Sequence, residues 1–391
     1  MKKKIFMPLS VMGLACLVSF CPNCENCECE KEPVAFMIQN ENEEEMLSAS
    51  KAAFLLEANS GEVLFSKDEL KHLPVASMTK IATLAVIYDA LANNEIKMDD
   101  KVLVSANASG MGGSQAFLDM NSEYSVADLI KSIVIASAND SCVAMAEKLY
   151  GSETQFVNKM NDLARKLGCE NTNFKNCTGL PAIGAYSCAK DMAVIYQYIM
   201  KSPHYGDFNK TWMYDLTHPS GRITGLTNTN KLVRFYNGCD GGKTGFTTEA
   251  GHCITVTSTR GDLKPIAVII GAANSKTRFA EASKLMNYTF DNYENKLLID
   301  AAKPIGQIKV NGAVENKHKV YPAQNYYKLL KKGGAENPEI VINMPKDVSA
   351  PINGKIGEIL VDNNTVDIII GDIKKQNYFE ILQKIAKKYK I

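Results

Sequence analysis

The chain has 391 residues, of which 46% are hydrophobic and 22% are charged. This is the composition of a globular protein, and it excludes a collagen, a coiled coil and a disordered chain. The length favours two domains of roughly 150 residues each. Lys and Arg number 44 and Asp and Glu 43, so the net charge of +1 gives no sign of a nucleic-acid partner.

Residues 1–20 are predicted to be a signal peptide. Residues 2–4 are lysines, and the 16 residues from Ile5 to Phe20 carry no charge. A basic start followed by a short apolar run is typical of a secretory signal, and the run is short for a membrane span. Cys16 follows Leu14 and Ala15, which weakly resembles a lipoprotein cleavage site, so lipidation of Cys16 is an alternative. We therefore expect an exported protein.

Residues 21–49 form a polar segment rich in Cys and Glu. Its four cysteines lie within nine residues, directly after the predicted signal: Cys21, Cys24, Cys27 and Cys29. The pair Cys24-x-x-Cys27 has metal-ligand spacing, but a second pair is missing. We interpret the segment as a linker or a pro-segment and predict no metal site.

Residues 50–295 are predicted to form an α+β domain, an antiparallel sheet flanked by helices. Turn residues and apolar runs predict a hairpin, then a block of helices, then three strands and a last helix. Ser125 and Asp128 form a capping-box pattern ahead of one helix, and Ser152 and Gln155 cap another. The predicted strands are 52–57, 62–65, 239–246, 252–260 and 264–272, and the bounded helices are 81–91, 126–136 and 277–292.

Residues 296–374 are predicted to be a small all-β domain, because short apolar runs alternate with Gly, Pro and Asn and no long helix interrupts them. The chain then ends in a predicted amphipathic helix, 375–391. Its apolar stripe is Phe379, Leu382, Ile385, Ala386 and Tyr389, and its lysines are Lys384, Lys387, Lys388 and Lys390. A basic amphipathic helix favours contact with an anionic membrane surface; the alternative is a solvated helix docked on its own domain.

Ser77-Met78-Thr79-Lys80 is an S-x-x-K motif at the start of the predicted helix 81–91. Residues i and i+3 share a helix face, so the Lys80 amine can reach the Ser77 hydroxyl. A neutral lysine can take the serine proton, and burial lowers a lysine pKa toward that task. The motif alone is weak evidence for this chemistry, because S-x-x-K occurs often by chance.

Two further triplets follow in order. Ser137-Ala138-Asn139 lies after the helix 126–136, in a predicted loop, and Lys243-Thr244-Gly245 lies on the first strand of the β-rich block. S-x-x-K, an S-D-N type triplet and K-T-G together are the signature of serine β-lactamases and penicillin-binding proteins.

The chain also resembles the D-alanyl-D-alanine carboxypeptidases, the low-molecular-mass penicillin-binding proteins of the serine peptidase type, best over residues 50–295. The stretches that carry the resemblance are 73–80, 135–140, 178–181, 186–187, 191–192, 240–247 and 249–251. The family also has a small β domain and a membrane-associated helix after its catalytic domain. The resemblance implies removal of the terminal D-alanine from peptidoglycan pentapeptide stems, covalent inhibition by β-lactams, no cofactor, and a location at the outer face of the cytoplasmic membrane or in the cell wall.

The resemblance also implies roles for individual residues. Ser77 is the expected nucleophile, Lys80 its general base and Ser137 a proton relay. The expected substrate-binding residues are Asn139 for a peptide amide, Thr244 and Arg278 for the terminal carboxylate, Lys243 as a positive charge on the strand, and Gly245 and Phe246 on the same strand. The backbone N–H groups of Ser77 and Phe246 form the expected oxyanion hole.

Two departures from the family pattern bear on the site. Thr229 stands where the family often has Arg, so carboxylate binding is expected to rest more on Arg278. Cys177 stands where the family usually has Pro. It and the other five cysteines of the catalytic domain are interpreted as small buried hydrophobic residues: Cys142, Cys169, Cys188, Cys239 and Cys253.

Two alternative functions would use the same fold: a serine β-lactamase and a catalytically idle penicillin-binding scaffold. A serine β-lactamase needs a base for deacylation, and residues 176–186 contain no Glu or Asp. A catalytically idle penicillin-binding scaffold of the same fold predicts a broken motif, whereas all three motifs are intact.

Overall fold

The computed structural model describes residues 49–334, 338–362 and 364–389. The predicted signal peptide and all but the last residue of the predicted linker lie outside these ranges. The helices of the described part are α1 Lys80–Ala92, α2 Ala106–Ser109, α3 Val126–Ala136, α4 Asn139–Tyr150, α5 Glu153–Lys166, α6 Ala189–Met200, α7 Leu232–Phe235, α8 Ser275–Asn292 and α9 Tyr378–Tyr389. A 3-10 turn, Ala76–Thr79, directly precedes α1.

Seventeen strands are present in the described residues. Those up to residue 299 are β1 Ala52–Glu57, β2 Val63–Lys67, β3 Lys101–Leu103, β4 Glu123–Ser125, β5 Met213–Thr217, β6 Ile223–Thr227, β7 Cys239–Thr247, β8 Gly251–Ser258, β9 Pro265–Ala272 and β10 Tyr293–Ile299. Those that follow are β11 Gly306–Asn311, β12 Lys317–Pro322, β13 Tyr326–Lys331, β14 Ile340–Asn343, β15 Asp347–Ser349, β16 Ile352–Val361 and β17 Asn364–Ile373.

A five-stranded antiparallel sheet of order β2-β1-β9-β8-β7 forms the centre of the first part of the molecule. Both of its faces are covered. Ala52, Phe54 and Leu56 of β1 pack into one apolar core and Ala53 and Leu55 into another, as the two-residue period of a strand requires. Strand β7, which carries Lys-Thr-Gly, is left at one edge.

Helix α1 packs within the first core and is apolar almost all round, as expected of a helix buried on all sides. Helix α8 packs on the opposite face of the sheet, through Leu285 and Met286 of the second core. The sheet therefore lies between the helical block and α8, the predicted antiparallel sheet flanked by helices.

The helix starts predicted from capping patterns are confirmed. The Ser125 hydroxyl accepts from the Asp128 N–H at 3.1 Å, and the Ser152 hydroxyl accepts from the Gln155 N–H. One local prediction is wrong. Asn139 does not lie in a loop but opens α4, because only Ser137 and Ala138 separate α3 from α4.

The second part is dominated by a six-stranded sheet of order β14-β16-β17-β12-β11-β15 around an aliphatic core that includes Ile308, Val320 and Ile368. The all-β character predicted here is confirmed. The predicted boundary between residues 295 and 296 falls within β10, which pairs with β13.

Helix α9 ends the described chain. Phe379, Leu382 and Ile385, from the predicted apolar stripe, are 67%, 44% and 47% exposed. No helix of the described residues is long and apolar enough to cross a membrane.

Candidate active site

Ser77 and Lys80 occupy the junction of the 3-10 turn with α1. Lys80 is fully buried, and its Nζ lies 3.0 Å from the Ser77 Oγ. The same Nζ donates to the Asn139 Oδ1 at 2.7 Å and to the backbone carbonyl of Thr178 at 2.6 Å. The Lys80 Nζ therefore connects the Ser-x-x-Lys motif with the Ser-x-Asn motif.

Burial lowers the pKa of Lys80, because desolvation disfavours the ammonium form. The three contacts are compatible with a neutral amine. Such an amine has two N–H groups, which the Asn139 amide oxygen and the Thr178 carbonyl can accept, and one lone pair left toward the Ser77 hydroxyl. The geometry suits proton transfer from Ser77 to Lys80.

The two acceptors of Lys80 are themselves held in place. The Asn139 Nδ2 donates to the Gly112 carbonyl at 2.7 Å, and the Asn139 N–H donates to the Ser114 carbonyl. Thr178 is positioned by the next residue, since Gly179 has a φ of +80° and a Cβ there would lie 2.0 Å from the Ala76 carbonyl oxygen. The carbonyl of Thr178 and the loop around Gly112 are parts of the site that the motif analysis missed, because they are backbone contacts without a side-chain signal.

Ser137 and Lys243 form a second serine–lysine pair. The Lys243 Nζ donates to the Ser137 Oγ at 2.8 Å, and Ser137 has a left-handed φ of +62° at the end of α3. Burial lowers the pKa of Lys243 well below its ordinary value, and the neighbouring Lys80 acts in the same direction. A bound carboxylate would oppose both effects.

Thr229, at the position where Arg was expected by resemblance, contributes a hydroxyl instead. The Thr244 Oγ1 donates to the Thr229 Oγ1 at 2.8 Å. Thr229 is held against the end of α3, since its N–H donates to the Ile135 carbonyl. The described site thus presents a neutral polar group beside Lys-Thr-Gly.

The edge strand β7 packs directly against the nucleophile. A Cβ at Gly245 would lie 2.8 Å from the Val75 carbonyl oxygen and 2.9 Å from the Ser77 nitrogen, so only glycine allows this approach. The next residue, Phe246, is 57% exposed and stacks on His252 of β8. The Ser77 N–H and the strand therefore lie side by side, as an oxyanion hole requires.

Arg278 is buried beneath the strand pair. Its Nη1 lies 3.2 Å from the carbonyl oxygens of both Gly245 and Cys253, and its Nη2 donates to the Ser275 hydroxyl. Burial lowers its pKa to about 10. Arg278 thus connects α8 to β7 and β8, while a contact with a substrate carboxylate stays a prediction.

The six cysteines of this part are free and buried, as predicted. Burial raises the pKa of Cys142 to about 12, and it raises the pKa of Cys177 as well. Thiols with raised pKa values make poor nucleophiles. Ser77 is the better candidate.

A serine whose hydroxyl meets a desolvated lysine, beside a Ser-x-Asn turn and an edge strand with Lys-Thr-Gly, defines an acyl-transferring serine enzyme of the penicillin-binding class. Residues 38–274 match the family model described as D-alanyl-D-alanine carboxypeptidase, and residues 293–367 match that of the C-terminal domain of penicillin-binding protein 5. The chain belongs to the D-alanyl-D-alanine carboxypeptidase family of serine peptidases.

Individual relatives agree with this assignment. The chain is 37% identical to the D-alanyl-D-alanine carboxypeptidase DacF of Bacillus subtilis, over 90% of this chain and 93% of the relative. It is 34% identical to DacC of Escherichia coli over 67% of this chain and 66% of the relative. Penicillin binding protein 5 from Haemophilus influenzae has a similar structure, with a TM-score of 0.67 at 28% identity, covering 84% of this chain and 98% of that one.

Proposed function

We propose that this carboxypeptidase removes the terminal D-alanine from peptidoglycan pentapeptide stems through an acyl-enzyme on Ser77. The observation that carries the proposal is the 3.0 Å contact between Ser77 Oγ and the buried Lys80 Nζ. It joins a nucleophile to a base whose pKa is lowered by burial. No organic cofactor or metal has a part in this chemistry.

Acylation would begin when Lys80 takes the Ser77 proton and Oγ attacks the carbonyl carbon of the penultimate D-alanine. The N–H groups of Ser77 and Phe246 would stabilise the oxyanion. As the C–N bond breaks, the leaving amine would receive a proton through the Ser137 hydroxyl, which the charged Lys243 holds across the 2.8 Å contact. The proton that Lys80 took from Ser77 would replace it, so Lys80 is neutral again and Lys243 keeps its charge. Lys80 would then take a proton from the water that attacks the ester, and would return it to the Ser77 Oγ as the ester C–O bond breaks.

Substrate binding would use the third motif. Lys243 and Thr244 would contact the terminal carboxylate, whose charge raises the pKa of Lys243 again. Asn139 would hold the peptide amide, although both ends of its own amide are engaged in the free site. Arg278 would support this pocket through Gly245, whose carbonyl it contacts.

We also propose that the protein works outside the cytoplasmic membrane, attached to the membrane surface by α9. The support is the apolar and basic pattern of this helix together with the exposure of Phe379, Leu382 and Ile385. The basic, apolar N-terminus of the sequence supports export.

The test is labelling with a fluorescent penicillin together with release of D-alanine from a pentapeptide. Ser77→Ala should abolish both, a loss of about four orders of magnitude or more for a nucleophile. Ser109→Ala, at a surface serine outside the site, should keep both. Retained labelling of Ser77→Ala would refute the assignment. Rapid loss of label from the wild type would favour a β-lactamase, and absence of label an idle scaffold.

A further inference from the structure

A cavity of about 150 Å³ lies beside the nucleophile, and the proposed mechanism does not use it. One wall is the backbone next to Ser77, namely Val75, Ala76 and Thr79. The opposite wall is the loop 173–186, and the third side is formed by Thr247 at the end of β7 and Glu249 in the turn that follows. The cavity therefore adjoins the reacting centre on the side away from Lys243.

The position of this cavity along β7 shows which part of a substrate can reach it. A peptide extended along the free edge of β7, with its carboxylate at Thr244, would place its penultimate carbonyl near Ser77 and Phe246. Thr247 is three residues beyond Thr244, about 10 Å at the rise of a strand. The third residue from the substrate's carboxyl end would therefore lie at the cavity, and its side chain would enter it.

The cavity is lined by one charged side chain of each sign, on two different walls. Glu249 lies in the turn that the Ala250 N–H closes by donating to the Thr247 hydroxyl. Lys175 lies on the loop, with its Cε about 3.5 Å from where a Cβ at Gly184 would be. Both side chains are exposed, and no ion pair between them is present in the described structure.

The loop that carries Lys175 is fixed by its own hydrogen bonds. The Asn176 Oδ1 accepts from the N–H groups of Thr178 and Gly179, and the Asn176 Nδ2 donates to the Leu180 carbonyl. Asn173 pairs with Tyr186 across the base of the loop. The walls are therefore preorganised, and the Thr178 carbonyl connects them to Lys80.

We infer that this cavity is the subsite for the diamino acid of the stem peptide, and that it selects a side chain ending in both an ammonium and a carboxylate group. Glu249 would bind the ammonium and Lys175 the carboxylate, while Val75 and Leu180 cover the methylene groups. Recognition of both groups would favour diaminopimelate over lysine, because lysine has no carboxylate for Lys175. This inference rests on the proposed function, since it concerns the same substrate.

The test compares D-alanine release by the full chain from three pentapeptides that differ only at the third residue: meso-diaminopimelate, lysine or norleucine. Wild type should prefer diaminopimelate to norleucine in kcat/KM by about tenfold or more, the effect of one or two charge-assisted hydrogen bonds. In Glu249→Gln, the ratio of kcat/KM for the lysine peptide to that for the norleucine peptide should fall to about one. In Lys175→Gln, the ratio of kcat/KM for the diaminopimelate peptide to that for the lysine peptide should fall to about one. Both values of kcat/KM in a ratio are measured on the same variant. A variant that acylates all peptides more slowly therefore keeps its ratios unchanged.

Glu170→Gln and Lys190→Gln are the matched controls, because both residues are exposed and neither lines the cavity. Equal kcat/KM for the three peptides in wild type would overturn the subsite while leaving the carboxypeptidase assignment intact. Ratios unchanged in both cavity variants would overturn the roles of Glu249 and Lys175. No release from any peptide, together with no penicillin labelling, would instead refute the proposed function.

Discussion

The two halves of the molecule bury different kinds of side chain. In the catalytic half, Lys80, Lys243 and Asn139 are at most 3% exposed, and each has hydrogen-bond partners. In the described residues beyond Asn295, no polar or charged side chain is buried, and the core around Ile308 and Val320 is aliphatic. Both halves contain antiparallel sheets, so they differ in the side chains that are buried against those sheets.

Burial of a charge is expensive unless the charge is paired or neutralised. The catalytic half bears this cost at Lys80 and Lys243, where desolvation lowers the pKa of each amine. A lowered pKa increases the neutral fraction of an amine at a given pH, and the neutral form of Lys80 can accept the Ser77 proton. Among the described residues beyond Asn295, no lysine is buried in this way.

Removal of the first buried amine should have the larger effect on catalysis. Lys80→Ala should lower acylation by penicillin about 10³-fold, the effect of losing a general base. Wild-type acylation should rise with pH as Lys80 loses its proton, and below the ordinary lysine pKa because burial lowers it. The variant should lose that rise. The measurement is the acylation rate constant across neutral and alkaline pH.

Lys97→Ala, at an exposed lysine, is the control and should keep the wild-type profile. Thermal unfolding of Lys80→Ala would show whether the fold survives. A folded Lys80→Ala variant that retains both the rate and the pH-dependent rise would identify another base.

Lys243→Ala should lower kcat/KM for a peptide substrate about 10²-fold, as expected for the loss of an electrostatic contact. Lys243 must be charged to bind a carboxylate, and burial lowers its pKa in the free site, so wild-type kcat/KM should fall at alkaline pH. The rise caused by Lys80 and the fall caused by Lys243 together give a bell-shaped dependence of kcat/KM on pH. Because the two lysines interact, the two apparent pKa values of this profile describe the pair and not either residue alone. In the variant the alkaline fall should disappear. A fall that persists would assign it to another group.

The sequence predicts much of this contrast, but not all of it. The three motifs give Ser77, Lys80 and Lys243 because side-chain chemistry leaves a residue signature. The Thr178 carbonyl and the Gly112 carbonyl leave none, since any residue offers a backbone oxygen. The hairpin of β5 and β6 was missed for a similar reason: its exposed strands lack a strong apolar pattern. The aliphatic C-terminal core was predictable as a fold class, but its strand order depends on long-range pairing.

A smaller change tests how tightly the catalytic half is packed. Gly179→Ala should destabilise the protein and slow acylation, because its Cβ would meet the Ala76 carbonyl at 2.0 Å. Gly184→Ala is a matched control on the same loop, with a φ of +77° against +80° and only a 3.5 Å contact to Lys175. The difference between the two variants isolates the clash. We expect it to be about 1–3 kcal/mol in free energy of unfolding, measured by denaturant titration.

The smallest effect on catalysis should come from α9. A protein of residues 49–377 should release D-alanine from small peptides like one of residues 49–391, because Phe379, Leu382 and Ile385 are exposed rather than packed in a core. Only the longer form should co-sediment with anionic vesicles. Its 12 helical residues reach about 18 Å, short of the roughly 30 Å hydrocarbon layer, so attachment is at the surface.

The same helix allows the two sources of binding energy to be separated. Lys387 and Lys388 should each contribute about 1 kcal/mol near an anionic surface, and high salt should weaken that share as the screening length falls to about 3 Å at 1 M. Leu382→Ser with Ile385→Ser should weaken binding at every salt concentration, since the apolar contact is not screened. Lys387→Gln with Lys388→Gln should instead weaken it mainly at low salt. Equal sedimentation of both lengths would mean that α9 does not contact the membrane, and a salt-independent loss in the lysine variant would contradict the electrostatic share.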